Sequence, residues 1–110
     1  TAYTEHPDRL ERGLAKSLAV YTAWERDCLV GLLRAVGDGE TILYVQDLLV
    51  RPDRQGQGLG RQLIAAVEAD FAPVRQKVLL TDDIPATLSF YRACGWRRAE
   101  EWGCTALLKT

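Results

Sequence analysis

The sequence has few of the residues that build metal sites and disulfide frameworks. Its 110 residues include one histidine, three cysteines and no methionine. Cys28, Cys94 and Cys104 are far apart and form no Cys-x-x-Cys pair, so they lack the spacing of a zinc site or a disulfide framework. We therefore expect reduced cysteines that pack in the interior, a cytoplasmic location and no bound metal.

Neither sign of charge is in surplus, because 14 Lys and Arg residues face 15 Asp and Glu residues, for a net charge of −1. A protein that coats nucleic acid needs a surplus of positive charge, so we expect no nucleic-acid partner. No apolar run approaches the roughly 20 residues needed to span a bilayer, and we expect no membrane partner. The composition, 47% hydrophobic and 26% charged, predicts one globular domain over residues 1–110.

The spacing of apolar residues predicts an ordered series of helices and strands. In chain order, we predict a helix over 8–16, strands over 18–24, 28–36 and 41–50, a helix from Leu59 that Pro73 stops, a strand over 77–81, a helix from Pro85 that Gly95 ends, and one or two strands in 96–110. Short turns imply antiparallel hairpins, whereas strand–helix–strand connections imply parallel pairs. The predicted fold class is α/β, with a mixed, mostly antiparallel sheet and helices on both faces.

A glycine-rich turn joins the third strand to the helix that follows it. Gly56, Gly58 and Gly60 remove side chains where a ligand could approach the backbone, and amides at the helix start can point at an anion. Phosphate or pyrophosphate is the expected ligand, with Arg54 and Arg61 adding positive charge at the rim. Alternate glycines also occur in plain turns, so a turn that binds nothing is the structural alternative.

Two common phosphate motifs do not fit this turn. A P-loop requires Gly-Lys-Ser/Thr, but Arg61 and Gln62 follow Gly60. The GxGxxG dinucleotide motif fails in both registers, because Arg61 or Leu63 stands in place of the third glycine. The pattern that does fit is Leu48-Leu49-Val50-x-Pro52 followed by Gln55-x-x-Gly58-x-Gly60.

That pattern resembles the coenzyme A signature of the GNAT superfamily of acetyl-CoA-dependent N-acetyltransferases. The segment Phe90-Tyr91-Arg92-Ala93-Cys94-Gly95-Trp96 is similar to a second element of the family, FYxxxGF. The resemblance implies a GNAT fold and direct transfer of acetyl from acetyl-CoA to a primary amine on a small molecule or a peptide. By position, it implies pantetheine contacts at Leu48, Leu49 and Val50, and pyrophosphate contacts at Gln55, Gly56, Gln57, Gly58, Leu59, Gly60 and Arg61.

The resemblance also implies catalytic residues. Tyr91 would be the general acid that protonates the departing thiolate, and packing in the core is its structural alternative. Asp47 is the candidate base, acting directly or through ordered water, because Gln46 stands where some relatives carry glutamate and an amide is no base. The alternative is that Asp47 bonds the backbone at a bulge. Strict alternation would place Asp47 on one strand face with Val45 and Leu49.

The family pattern is incomplete in two places. Ile84 and Pro85 stand where many relatives carry an asparagine that contacts the coenzyme. The chain is also short, and we expect it to lack the usual first strand, either as a minimal form or because residues precede Thr1. A missing strand would leave a sheet edge unpaired, so we predict a homodimer.

Two questions stay open at the level of sequence. Tyr3, Trp24 and Tyr44 could line the acceptor pocket, although aromatic residues on strands more often belong to the core. The alternative to an enzyme is a non-catalytic module that binds acetyl-CoA or CoA as a sensor or within an assembly.

Overall fold

The computed structural model describes residues 7–110, and Tyr3 and His6 lie outside them. The chain divides into two compact units, one that ends at Leu80 and one that starts at Thr81. The first contains α1 (Pro7–Ala15), β1 (Ala19–Glu25), β2 (Cys28–Gly37), β3 (Ile42–Val50), a 3-10 turn (Pro52–Arg54), α2 (Leu59–Asp70) and β4 (Gln76–Leu79). The second contains α3 (Pro85–Ala93) and a 3-10 turn (Ala99–Trp102).

The first unit is built on a four-stranded sheet in the order β1-β2-β3-β4. The first three strands are antiparallel and β4 is parallel to β3, so the predicted mixed, mostly antiparallel sheet is confirmed. The β2–β3 turn is held by Asp38, whose carboxylate accepts hydrogen bonds from the hydroxyl of Thr41 and from the amides of Glu40, Thr41 and Ile42. These bonds stabilise the ionised form and hold the pKa of Asp38 well below its usual range.

The core of the first unit lies between one sheet face and α2. The residues that are at least nine-tenths buried there include Leu33, Ala35, Leu43, Val45, Leu63, Ile64, Val67 and Val74. A Cβ at Gly31 would lie 3.2 Å from the Leu63 side chain, so glycine lets α2 approach the sheet closely. The helix predicted from Leu59 is confirmed, and it ends at Asp70.

A β-bulge interrupts β3 at Gln46. Arg34 pairs with Asp47 while the next residue of β2, Ala35, pairs with Val45, which leaves Gln46 as the extra residue. Cross-strand partners share a sheet face, so Asp47 lies with Arg34 on one face and Val45 lies with Ala35 on the other. The expectation that Val45 and Asp47 lie on the same strand face is therefore wrong. The extra residue in the bulge shifts the alternation, so residues after Gln46 lie on the face opposite to the one that strict alternation predicts.

The second unit confirms the predicted helix and its end. Pro85 is in the first turn of α3, where its missing amide hydrogen is harmless. At the other end, the amides of Gly95 and Trp96 donate to the carbonyls of Arg92 and Tyr91, and Gly95 has a φ of 94°. This is a Schellman motif, which a left-handed glycine allows.

The strands predicted in residues 96–110 are wrong, since the described structure assigns no strand to that segment. A 3-10 turn occupies Ala99–Trp102, and the carboxylate of Glu101 accepts from the Arg98 amide at 3.1 Å and from Arg92 Nη2 at 2.9 Å. Gly103 then reverses the backbone with a φ of 75°. Local polar bonds from consecutive charged residues stabilise this turn in place of an extended ladder.

Candidate functional site

One edge of β3 is paired with a neighbouring strand along only part of its length. β4 pairs with β3 only from Ile42 to Val45, opposite Gln76–Leu79, whereas β2 pairs along almost its full length. Beyond the bulge at Gln46, residues 48–50 therefore face no strand on the β4 side within the described chain. These are the residues predicted to contact pantetheine, and an extended arm could pair with the backbone there as an added strand would.

The glycine turn continues directly from this edge. The Arg51 amide donates to the Val30 carbonyl at 2.9 Å, and Gln55 Nε2 donates back to the Val50 carbonyl at 3.2 Å. Gly56 and Gly58 have φ values of 81° and 83°, where other residues are strained. A Cβ at either glycine would meet no atom of residues 7–110 within 4 Å, so this part of the chain leaves the space above the turn open to a ligand.

The start of α2 has the electrostatics of an anion site. Gly58 is the N-cap, and its carbonyl accepts the first helical bond, from the Gln62 amide at 3.0 Å. The amides of Leu59 and Gly60 consequently have no intrahelical acceptor. The first turn carries no acidic side chain that would neutralise the positive end of the helix dipole. This geometry suits a phosphate or pyrophosphate group.

Charged side chains form a chain of contacts at the entrance to the turn. Arg54 Nη2 donates to Glu25 Oε1 at 3.0 Å and Arg54 Nε donates to Glu25 Oε2 at 2.5 Å. Asp53 accepts from Arg51 Nη2 at 2.9 Å and lies 3.3 Å from Arg54 Nη1. The hydrogen bonds from Arg54 and its charge lower the pKa of Glu25. Arg54, expected at the rim, therefore already has an acidic partner.

Asp47 is held by an arginine. Arg34 Nε donates to Asp47 Oδ2 at 2.8 Å, and Arg34 Nη1 donates to Ser17 Oγ at 3.4 Å. The Arg34 residue is only 8% exposed, so its charge requires this partner. The bulge expected as an alternative role for Asp47 exists beside it, and the role of Asp47 as a base stays a prediction.

Tyr91 lies on α3 in the second unit and is half-buried. Its ring makes edge contacts with Phe90 and Trp96, with centroid distances of 5.0 and 6.5 Å. Burial is the larger cause that raises the pKa of Tyr91, and the charge of Cys94 adds to it. The phenol therefore keeps its proton at neutral pH, as a general acid must.

The remaining sequence predictions have mixed outcomes. Trp24 is 59% exposed and its Nε1 donates to Thr22 Oγ1 at 3.0 Å, which is compatible with a place beside a ligand, while Tyr44 is half-buried. The prediction that all three cysteines pack in the interior is wrong, because Cys28 and Cys104 are exposed. Within residues 7–110, no group of three metal-ligating side chains is assembled and no helix is long and apolar enough to cross a membrane.

Sequence reasoning missed Arg34 and Glu25. A single arginine within the apolar strand β2 was a usable signal, because a buried charge must find an opposite charge. Glu25 gave no comparable signal, since its contact with Arg54 spans 29 positions of the chain. An apolar groove of about 260 Å³ beside this region was also not foreseen, and it is lined by Leu29, Val30, Gly31, Leu32, Leu49, Val50 and Arg51.

Comparisons with known proteins agree with this geometry. The acetyltransferase (GNAT) domain matches residues 6–98. A GNAT family acetyltransferase from Streptococcus pneumoniae TIGR4 is 36% identical with a TM-score of 0.90, over 94% of this chain and 78% of that one. The chain belongs to the GNAT acetyltransferase domain family.

Two curated relatives extend the comparison. The uncharacterized N-acetyltransferase ycf52-like of Prochlorococcus marinus is 31% identical over 80% of this chain and 51% of its own length. The uncharacterized N-acetyltransferase ycf52 of Gracilaria tenuistipitata var. liui is 30% identical over 69% of this chain and 42% of its own length. This chain therefore spans about half the length of the curated relatives it matches.

Proposed function

We propose that this protein transfers an acetyl group from acetyl-CoA directly to a primary amine. The observation that carries the proposal is the continuity of an open strand edge at residues 48–50 with a turn whose glycines leave the α2 amides accessible. The edge offers backbone partners to the pantetheine arm, and the helix start offers amides to the pyrophosphate. Coenzyme A has these two groups in the same order, and its thioester would then extend from Leu48 toward the bulge.

The proposed reaction needs a neutral amine and a proton for the leaving thiolate. Attack of the amine nitrogen on the thioester carbonyl forms a tetrahedral intermediate, whose collapse forms the amide and releases the coenzyme thiolate. Asp47, through ordered water, accepts the proton that the amine loses, and Tyr91 donates the proton that the sulfur gains. Tyr91 suits this role because its raised pKa keeps the phenol neutral.

Calorimetry and a turnover assay test the two parts of the proposal. Acetyl-CoA is titrated into the protein, and a panel of primary amines is then screened for acetyl-CoA-dependent release of free thiol. We expect binding, and thiol release with at least one amine. Binding without thiol release on any amine would instead favour a sensor module, and an unchanged melting temperature with excess acetyl-CoA would contradict coenzyme binding itself.

The Tyr91→Phe variant tests the general acid. We expect acetyl transfer to slow by about a hundredfold, because the variant lacks the phenolic hydroxyl that donates the proton, while the affinity for acetyl-CoA stays close to that of the wild type. Steady-state kinetics with the best amine of the panel and calorimetry with acetyl-CoA measure the two quantities. A variant that keeps the full rate would exclude Tyr91 as the acid.

We also propose a cytoplasmic homodimer. Among the described strands, β1 pairs only with β2 and is an edge of the sheet, which supports association through this strand. Sedimentation velocity at high protein concentration tests the assembly, and a species that remains monomeric would contradict it.

A further inference from the structure

A two-point ion pair connects the β1–β2 turn with the start of the glycine turn. Glu25 is the last residue of β1, and Arg54 is the last residue of the 3-10 turn that precedes Gln55. Both carboxylate oxygens of Glu25 are used, at 2.5 Å from Arg54 Nε and 3.0 Å from Arg54 Nη2. A pair with this fork geometry fixes orientation as well as distance.

The third nitrogen of Arg54 is also engaged. Nη1 donates to the Asp53 carbonyl at 3.2 Å and lies 3.3 Å from Asp53 Oδ2, which in turn accepts from Arg51. All three guanidinium nitrogens therefore have partners within the protein. An arginine bound in this way acts as an anchor for the backbone around it, because each of its three nitrogens is held by a carboxylate or a carbonyl of the protein.

Within the described part of the chain, the segment that follows Arg54 has few contacts of its own. Gln55 Nε2 donates to the Val50 carbonyl, but no described atom lies within 4 Å of the Cβ positions at Gly56 and Gly58. Glycines have more backbone freedom to lose than other residues when a ligand orders them. Because Arg54 is anchored immediately before these glycines, the free turn has fewer conformations and loses less conformational entropy when a ligand binds. Such preorganisation increases the affinity for the ligand.

We propose that Glu25 is a positioning residue for the coenzyme, which anchors Arg54 and thereby holds the glycine turn in the conformation that receives the pyrophosphate. This inference rests on the proposed binding of coenzyme A. Glu25 touches neither the coenzyme nor the acceptor, and it acts only through Arg54.

The sign of the effect separates this role from simple electrostatics. Glu25 is a negative charge close to a predicted anion site, so Coulomb repulsion alone predicts that its removal tightens the binding of CoA. Anchoring predicts the opposite, because loss of the pair frees the turn. The same pair is solvent-exposed, so its removal should change the overall stability little.

Calorimetry with CoA measures the effect on four variants. We expect Glu25→Ala to bind CoA roughly three- to tenfold more weakly than the wild type. Asp27→Asn is the matched control, since it removes one negative charge from the same β1–β2 turn without touching Arg54. Its affinity should equal that of the wild type or be slightly higher. The double variant Glu25→Ala/Arg54→Ala should bind no more weakly than Arg54→Ala alone, because both changes break one pair.

A truncated ligand checks that the effect is confined to the pyrophosphate. Pantetheine lacks the diphosphate, so its affinity should be equal for wild type and Glu25→Ala. Equal or tighter binding of CoA by Glu25→Ala would overturn the inference, as would a parallel loss for pantetheine. Failure of the wild type to bind CoA would instead contradict the proposed function.

Discussion

Two ion pairs flank the C-terminal half of β3, and they differ in their surroundings. The side chains of Arg34 and Asp47 are 10% and 14% exposed, whereas those of Arg54 and Glu25 are 29% and 54% exposed. The first pair lies within the sheet beside the bulge, and the second joins two surface turns. A buried pair controls whether the fold forms, because either charge alone is costly in the interior. An exposed pair contributes little to stability, so its effect should appear in the ordering of a binding turn.

The largest expected difference between the pairs is in stability. Arg34→Met removes the cation that is bonded to Asp47 at 2.8 Å, and we expect the free energy of unfolding to fall by about 3–5 kcal/mol. The double variant Arg34→Met/Asp47→Leu removes both charges and should recover most of that loss. Urea denaturation measures both values. A single variant as stable as the wild type would mean that the buried pair is no more important than the exposed one.

The double variant also sharpens the role of Asp47. A well-folded protein that binds acetyl-CoA but no longer transfers acetyl is expected if Asp47 is the base. Full activity in that background would assign Asp47 to the structure alone.

A smaller loss of stability is expected at the glycine turn. Two glycine substitutions, one there and one at Gly103, should have similar effects on stability but different effects on CoA binding. Gly58→Ala and Gly103→Ala both place a side chain at a positive φ, of 83° and 75°, and no atom of the described residues lies within 4 Å of either new Cβ. Each should lose about 1 kcal/mol of stability from backbone strain. Only Gly58→Ala should weaken CoA binding, by about tenfold or more, because its methyl group occupies the approach to the pyrophosphate. Gly58→Glu should abolish binding, since it adds negative charge.

If Gly103→Ala weakened CoA binding as much as Gly58→Ala, the loss would reflect strain elsewhere in the chain. The glycine turn would then have no special status as the coenzyme site. Calorimetry with CoA and thermal denaturation on the same protein samples make this comparison.

The smallest expected effect comes from a third pair, Tyr21 and Asp70, in which the tyrosine hydroxyl donates to Oδ2 at 2.6 Å. Burial, with the hydrogen bond and charge of Asp70, raises the pKa of Tyr21 from 10.0 to about 12. The folded state thus holds this proton more tightly than the unfolded state. Its stabilisation is complete below pH 10 and is lost as the pH rises from 10 towards 12.

Tyr21→Phe isolates this contribution. The melting temperature of the variant should be lower than that of the wild type at pH 8, and the gap should narrow as the pH approaches 11.5. A gap that is constant over this range would show that the ionisation of Tyr21 is not coupled to folding.

Local signals made the elements around the glycine turn predictable from sequence. Apolar spacing identified α2, and glycine placement identified both the turn at Gly56 and Gly58 and the end of α3 at Gly95. Each of these depends on neighbours within a few residues, where side-chain chemistry and backbone preference act directly. The residue types of the turn were sufficient because backbone amides, and not side chains, form the proposed site.

Long-range contacts were not predictable in the same way. The bulge at Gln46 depends on the register between β2 and β3, and a pattern within one strand carries no information on it. The prediction of strands after Trp96 failed for a different reason. Its apolar residues suggested strands, but Glu101 provides local acceptors for Arg92 and Arg98, so the chain forms a turn.

The extra residue in β3 also bears on how the length of this strand can vary. Deletion of Gln46 would make Val45 and Asp47 adjacent residues on opposite faces, so the ladder with β2 would become continuous and each side chain would stay on its present face. Deletion of a residue beyond the bulge, such as Leu49, would instead move Val50 to the opposite face. β3 can therefore lose a residue at the bulge without turning its neighbours over, whereas the segment from Asp47 to the glycine turn has a fixed length.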